Sequence, residues 1–371
     1  MVSTPGPRPR LTGLGAAVPA PMDQQELWDD FFAAHFARPD GSEDRRAARI
    51  WRSAGVTTRH GVVDPRVEDV TGWTTAQRMR RFVQEALPLG KGAVGAALGR
   101  ADVDPARIGM FAVASCTGYA TPGLDIVLAR DLGMPDDVAR LAIGHMGCYA
   151  ALPGLVTVAD SALARGLPGV LLCAELTCLH AQPTLDITTT SGVEQLVAHA
   201  LFADAAAAAV VLPGDTPGLP AGLEILDSAV HTDVDTAALM TWDITDTGFR
   251  MGLSPRVPSV LARSIRPVLD RLLARHDATV ADVAGWAVHP GGPAVLDVVA
   301  QRCGLPDDAL DASRAVLAEN GNCSSATVLM VTDRLLATRT FADGDLVVLV
   351  AFGPGLTLHT VLTRWASAGP A

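Results

Sequence analysis

The chain predicts an α/β fold built from two pseudo-symmetric halves, and three observations carry this. Short apolar runs alternate with stretches of helical spacing, the pattern of strands joined by crossover helices. The second half echoes the first. LGMPDD at 132–137 is answered by CGLPDD at 303–308, the preceding GMFAVAS by GWAVHPG, and the following GHMGCYAAL by ENGNCSSAT. VLLCAEL is likewise answered by VVLVAFG. A repeat this long is a duplicated domain, not a solenoid. Finally, 49% of the 371 residues are hydrophobic, 19% are charged and only 5% are aromatic. Ala, Val, Leu and Gly must therefore fill the core, which suits mostly parallel buried strands under close-packed helices.

Residues 1–9 are Pro-rich and read as a disordered tail. Residues 10–213 form an N-terminal half and 222–366 a C-terminal half, with a Pro/Gly-rich linker between them. Leu11–Val18 is the first strand. Apolar residues recur at helical spacing from Asp23 to Phe36, and 37–43 is a loop. In DRRAARIWRSAG, Arg45, Arg49 and Arg52 fall at i, i+4 and i+7, which is one helix face. Thr75–Leu98 is a long helix. Arg107–Thr117 is a buried strand that ends in a polar turn, and Pro122–Leu132 is a helix. Asp136–Ile143 leads into the turn that carries Cys148. The next helix runs to about Arg165, with Pro153 and Gly154 placed to kink its first turns. Val170–Thr177 is another buried strand, 180–192 is a Thr-rich loop, and His199–Leu212 leads into a strand.

A formal net charge of −11 argues against a broad nucleic-acid or anionic-membrane surface. It leaves room for a local basic patch that grips a phosphorylated ligand. The arginine stripe is either that patch or a solvated face. The six cysteines, at 116, 148, 173, 178, 303 and 323, form no CxxC pair. This reads as a reducing compartment with no disulfide framework. His145 and Cys148 are spaced like metal ligands but lack a second pair, so no metal is predicted. The N-terminus lacks the apolar core of a signal peptide, and no run approaches the ~20 apolar residues of a membrane helix. The protein is expected to be soluble and cytoplasmic.

Cys148 sits on a Gly-Cys turn at a predicted helix N-terminus, where backbone N–H groups and the helix dipole favour a thiolate. A thiolate attacks acyl carbonyls. A buried cysteine is also an ordinary core residue, so the case depends on its partners. WAVHPGGPA at 286–294 places His289 where a strand ends, and ENGNCSSAT at 319–327 places Asn322 on a turn before a helix. Equivalent turns of a duplicated fold meet near the shared axis, so Cys148 can face His289 and Asn322. The imidazole can hold a thiolate as an ion pair, and Asn322 can share an oxyanion site with it.

With these residues the chain resembles the type III polyketide synthases, the chalcone synthase-like group of the thiolase superfamily. The resemblance spans about residues 10–366. It rests on GCYAA around Cys148, LFADAAAAA around Phe202, GFRMGLSPRVP at 248–258, AVHPGGPA at 287–294, GNCSSAT at 321–327 and AFGPGLT at 351–357. It implies a thiolase-like αβαβα layered fold and a homodimer. It implies no cofactor beyond the substrates, an acyl-CoA starter and malonyl-CoA. Cys148 would carry the acyl chain, with His289 and Asn322 binding the malonyl carbonyl. Phe202 matches an aromatic gatekeeper. Thr117, Thr177, His180, Gly248 and Ser324 match cavity-lining positions, and Gly353, Pro354 and Gly355 a loop that shapes the cavity. Arg45 and Arg52 align with contacts to the coenzyme A phosphates, Arg49 lies one place from a third, and Ala294 meets the pantetheine arm.

The departures bear on the product. Ala203 and Ala205 replace glycines, Tyr149 follows the nucleophile, and His180 stands where a smaller residue is usual. The implied activity is iterative decarboxylative extension to a resorcinol, phloroglucinol or pyrone. The alternative is a ketoacyl synthase III-like acyltransferase that condenses once, or transfers an acyl group without extension. A silent acyl-CoA-binding paralogue is a third reading, which the joint presence of Cys148, His289 and Asn322 opposes.

Overall fold

The computed structural model describes residues 6–37, 44–182 and 187–369. Residues 1–5 of the expected tail, 38–43 of the expected loop and 183–186 of the Thr-rich loop lie outside these. The strands in chain order are β1 Arg10–Ala17, β2 Pro21–Asp23, β3 Thr58–His60, β4 Met110–Ser115, β5 Ala139–Gly144, β6 Gly169–Leu176, β7 Asp204–Leu212, β8 Gly222–Ala237, β9 Met240–Thr245, β10 Gly248–Leu253, β11 Val283–Val288, β12 Leu346–Gly353 and β13 Gly355–Ala366. Nine of them form one sheet in the order β11-β12-β13-β8-β1-β7-β6-β4-β5. The antiparallel contact of β1 with β8, Arg10 opposite Glu224, joins the two halves.

The central strands β4, β6, β7 and β12 are buried on both faces, and alternate residues feed different cores. In β6, Leu171 and Cys173 face a central cluster, while Val170, Leu172 and Ala174 face an outer one. In β12, Val347, Leu349 and Ala351 face the same centre, and Val348, Val350 and Phe352 face a second outer cluster. The helices Ala151–Arg165 and Ala326–Thr338 fill the central cluster. The helix Thr75–Ala101 covers the outer face of the first half, and Val257–Ala274 with Pro293–Cys303 covers that of the second. Five layers result, αβαβα, as a duplicated fold requires.

Two expectations are corrected. The sheet is not mostly parallel: only β4–β5, β4–β6 and β11–β12 pair that way. Pro354 alone separates β12 from β13, which leaves no length for the crossover that a parallel pair needs. The tail is also tied down at its end, where Arg8 Nη1 donates to Leu226 O and the Pro9 carbonyl accepts from Ile225 N–H. The repeat breaks at one element. Edge strand β5 follows GMPDD, whereas the helix Asp311–Asn320 follows GLPDD. The latter is built from Ala, Arg, Leu and Glu, which favour helix.

Glycines in β1 set how closely the first helix packs. A Cβ on Gly15 would lie 2.5 Å from both Ala93 O and Ala97 N, and one on Gly13 would lie 2.2 Å from Ala97 O. Gly15→Ala is expected to destabilise by about 2 kcal/mol through overpacking. This would be read as a lower urea midpoint at unchanged slope. An unchanged midpoint would mean that the helix moves away freely.

Candidate active site

Cys148 lies between β5 and the helix Ala151–Arg165. His145 and Gly147 take φ of 54° and 78°, and these left-handed residues swing the chain over the end of the sheet. A Cβ on Gly147 would come within 2.6 Å of Pro354 Cδ, so glycine is required there. His289 follows β11 directly. Its N–H donates to Val350 O at 2.7 Å, and its ring meets Phe352 edge-on at 5.5 Å. Asn322 sits between Asp311–Asn320 and Ala326–Thr338. Its N–H donates to Leu201 O at 2.8 Å and its carbonyl accepts from Ala203 N–H at 3.0 Å. The second half thereby pins the backbone on both sides of Phe202. Ser324 N–H donates to Asn322 Oδ1 at 2.9 Å, which leaves Nδ2 as the free donor end of the amide.

Cys148, His289, Asn322, Phe202 and Ala294 line one cavity of about 350 Å³. The nucleophile candidate comes from one half, the His and Asn from the other. Burial raises the Cys148 thiol to about 12, against a smaller opposing hydrogen bond from Ser324. Burial lowers His289 to about 3. Desolvation thus pushes each group, taken singly, toward its uncharged form and opposes the helix N-terminus, while a charge on either one would favour the opposite charge on the other. Both ring nitrogens of His289 are buried without a hydrogen-bond partner.

Thr177 and His180 do not line this cavity. They line a smaller chamber of about 80 Å³ that shares Phe202 and Met251 with it. Thr177 Oγ1 donates to Ala203 O at 2.8 Å. His180 Nδ1 accepts from Phe249 N–H at 3.0 Å, so Nε2 carries the proton and donates to Thr117 O at 2.6 Å. Its ring stacks on Phe249 at 4.4 Å, with Trp242 edge-on at 5.4 Å. Burial lowers His180 to about 3 and keeps it neutral. Gly248, at φ 100°, packs against Arg78 and His180. Thr117, Gly248 and Ser324 line neither space.

Sequence reasoning missed Glu175. It is fully buried and accepts from Cys116 N–H at 3.0 Å, from Thr117 Oγ1 at 2.9 Å and from Ser325 Oγ. Burial raises its carboxyl. Cys116 Sγ lies 3.3 Å from Ser324 Oγ, so this network reaches the hydroxyl that also bonds Cys148. A lone carboxylate in the apolar run VLLCAEL was the available signal.

The helix Arg45–Arg52 forms, its N-terminus capped by Asp44, which accepts from Arg46 and Ala47 N–H groups. Arg45, Arg49 and Arg52 are exposed. Ile50, between Arg49 and Arg52, and Ser53 and Ala54, just after the helix, line the cavity, which brings the C-terminal end of this helix to its wall.

A duplicated αβαβα fold with Cys, His and Asn meeting at its centre defines a thiolase-like condensing enzyme. The chain belongs to the chalcone and stilbene synthase family: the N-terminal domain model matches residues 6–217 and the C-terminal domain model residues 226–366. It is similar to 3,5-dihydroxyphenylacetyl-CoA synthase of Streptomyces toyocaensis, 32% identical over 97% of this chain and 90% of that one. It is 37% identical to 1,3,6,8-tetrahydroxynaphthalene synthase of Streptomyces peucetius subsp. caesius, over 88% of this chain and 85% of that one. The crystal structure of 1,3,6,8-tetrahydroxynaphthalene synthase from Streptomyces coelicolor A3(2), a bacterial type III polyketide synthase, superposes with a TM-score of 0.88 at 28% identity, covering 97% of this chain and 100% of that one. This chain is accordingly a type III polyketide synthase, an acyltransferase that carries out decarboxylating Claisen condensation.

Proposed function

We propose that Cys148 is the acyl carrier and that His289 and Asn322 form the malonyl site. The starter thioester enters the cavity, and the Cys148 thiol adds to its carbonyl as His289 accepts the proton. The tetrahedral intermediate collapses to acyl-Cys148, and the coenzyme A thiol leaves with that proton. Malonyl-CoA then places its thioester oxygen between His289 and Asn322 Nδ2. Two donors stabilise the enolate that forms as carbon dioxide leaves. Its carbon attacks acyl-Cys148, making a carbon–carbon bond and releasing the Cys148 sulfur. The resulting β-ketoacyl-CoA passes its acyl group back to Cys148 as coenzyme A leaves, and repetition builds a poly-β-keto chain that closes to a resorcinol, phloroglucinol or pyrone.

The observation that carries this reading is the unpartnered imidazole. A buried polar group without a hydrogen bond costs about 1–3 kcal/mol, and a carbonyl oxygen held beside Asn322 would supply the missing partner. The cavity walls also include Val193, Val197, Leu253 and Val257, which suits an acyl chain. Arg45, Arg49 and Arg52 would hold the coenzyme A phosphates, and Phe202 would gate passage to the back chamber. Residues 10–213 and 222–366 would act as two half-sites of one unit.

The chain is proposed to work as a cytoplasmic homodimer. Edge strand β5 has one unpaired side and exposes Arg140, Ala142 and Gly144, a template for a second copy. Among the described residues no helix is long and apolar enough to cross a membrane, and no cluster of three or more His, Cys, Asp or Glu could hold a metal ion.

The test is mass spectrometry after incubation with malonyl-CoA and short, aromatic and long acyl-CoA starters. Products heavier than the starter by successive two-carbon units are expected. Acyl-Cys148 with no malonyl consumption would instead select an acyltransferase that does not extend its substrate.

A further inference from the structure

Phe202 stands directly after the helix Thr190–Leu201, so the last turn of that helix decides where its ring is held. The last four carbonyls of a helix have no partner within it, and here each is accounted for. Ala198 O accepts from Phe202 N–H at 3.0 Å, and Leu201 O accepts from Asn322 N–H at 2.8 Å. The other two are taken by Arg59. Its Nη1 donates to His199 O at 2.6 Å and its Nη2 to Ala200 O at 2.7 Å. Nη1 also donates to Phe202 O at 3.1 Å, the carbonyl of the phenylalanine itself.

Arg59 is only 6% exposed, and a buried guanidinium is costly unless its donors are used. Gln24 braces it. Arg59 Nε donates to Gln24 Oε1 at 2.7 Å, while Gln24 Nε2 donates to the same Ala200 O at 3.0 Å. Arg59 Cζ lies over the Trp51 ring, 5.0 Å from its centre, and Trp51 Nε1 donates to Gln24 O at 2.9 Å. Burial lowers Arg59 to about 10, which leaves it charged at neutral pH. A cation at a helix C-terminus meets the negative end of the dipole. The steps at Cys148 do not use Arg59, yet the chain around Phe202 is fastened twice, by the backbone of Asn322 and by this guanidinium. Phe202 in turn lines both the catalytic cavity and the back chamber.

We infer that Arg59 is a positioning residue that caps the helix ahead of Phe202 and fixes the ring between the catalytic cavity and the back chamber. This rests on the reading of Cys148 as acyl carrier and of Phe202 as the gate. Arg59 lines the chamber but not the catalytic cavity, so its effect on Cys148 runs through the ring. A lysine keeps the charge but offers its donors from one point, whereas the guanidinium fork spans three carbonyls. Loosening the fork lets the ring leave its place, and long acyl groups then enter further than in the wild type.

The test is single-turnover loading of Cys148 by hexanoyl-CoA and by palmitoyl-CoA, read by intact-protein mass spectrometry. It compares the full-length wild type, Arg59→Lys, Phe202→Ala and the double variant. Arg59→Lys is expected to raise the palmitoyl-to-hexanoyl ratio of loading rates about tenfold, the worth of one charge-assisted hydrogen bond. Phe202→Ala should raise it at least as much. Adding Arg59→Lys to Phe202→Ala should then change the ratio by less than about twofold, because the ring through which Arg59 acts is gone. An unchanged ratio in Arg59→Lys, even with slower loading of both starters, would overturn the inference, since the residue would then support structure alone. Shifts that multiply in the double variant would overturn it too. Should Arg59→Lys fail to fold by circular dichroism, Gln24→Leu, which keeps the guanidinium and removes its brace, takes its place with the same outcomes. Loading needs no extension, so if the wild type consumes no malonyl-CoA the polyketide reading fails while the ratio still decides the role of Arg59. If Cys148 does not load at all, the acyl-carrier reading fails, and the fluorine NMR line of para-fluorophenylalanine at position 202 decides instead. That line should broaden or split in Arg59→Lys, and an unchanged line would overturn the inference.

Discussion

Cys148→Ala is expected to lower ketide formation by at least about 10³-fold, because no other group in the cavity can carry the acyl chain as a thioester. The variant should fold, since the thiol is small and its loss leaves a void of about one sulfur atom. Intact-protein mass spectrometry should show an acyl adduct on the wild type and none on the variant. A variant that still makes product at a wild-type rate would remove Cys148 as the nucleophile. The thiol's protonation gives a second readout. Burial acting on each group singly raises it to about 12 and lowers His289 to about 3, which favours an uncharged pair at neutral pH. Its alkylation by iodoacetamide should then rise about tenfold per pH unit from 7 to 9 without levelling, since the thiolate fraction grows that way well below the pKa. A rate that is flat across this range would show a standing thiolate–imidazolium pair instead.

The burial of Cys148 and His289 also explains what the sequence could and could not convey. Strand alternation, the duplicated turns and the placement of Cys148, His289 and Asn322 on those turns are local patterns, and each was legible. The depth of burial was not, because it depends on how completely the surrounding layers exclude water. The Gly-Cys turn suggested a helix terminus, and the dipole argument followed. Yet Cys148 and His289 are 7% and 0% exposed, and that degree of desolvation has no signature in eight residues of sequence. The back chamber was hidden for a related reason. His180 binds Thr117 and Phe249, 63 and 69 residues away, so only the folded chain shows that both ring nitrogens are used. Strand direction was misread because βα alternation says where crossovers occur, not that every strand has one. β12 turns straight back into β13 through Pro354.

Asn322→Asp should separate the two half-reactions. The carboxylate keeps an oxygen able to accept from Ser324 N–H, so the turn that pins Leu201 and Ala203 is retained. What is lost is the Nδ2 donor, and what is gained is negative charge where an enolate must form. Removing one oxyanion donor costs about 10²–10³ in rate, and repulsion adds to this. Malonyl-CoA decarboxylation, followed by carbon dioxide release, is expected to fall by at least about 10²-fold. Loading of the starter on Cys148, followed by single-turnover mass spectrometry, should fall by less than about tenfold, because the thiol's attack needs His289 as proton acceptor but no enolate. Equal loss of both steps would place Asn322 in general support of the cavity. Loss of loading alone would reverse the roles assigned to the two residues, with Asn322 serving the starter's oxyanion and His289 left to hold the malonyl carbonyl.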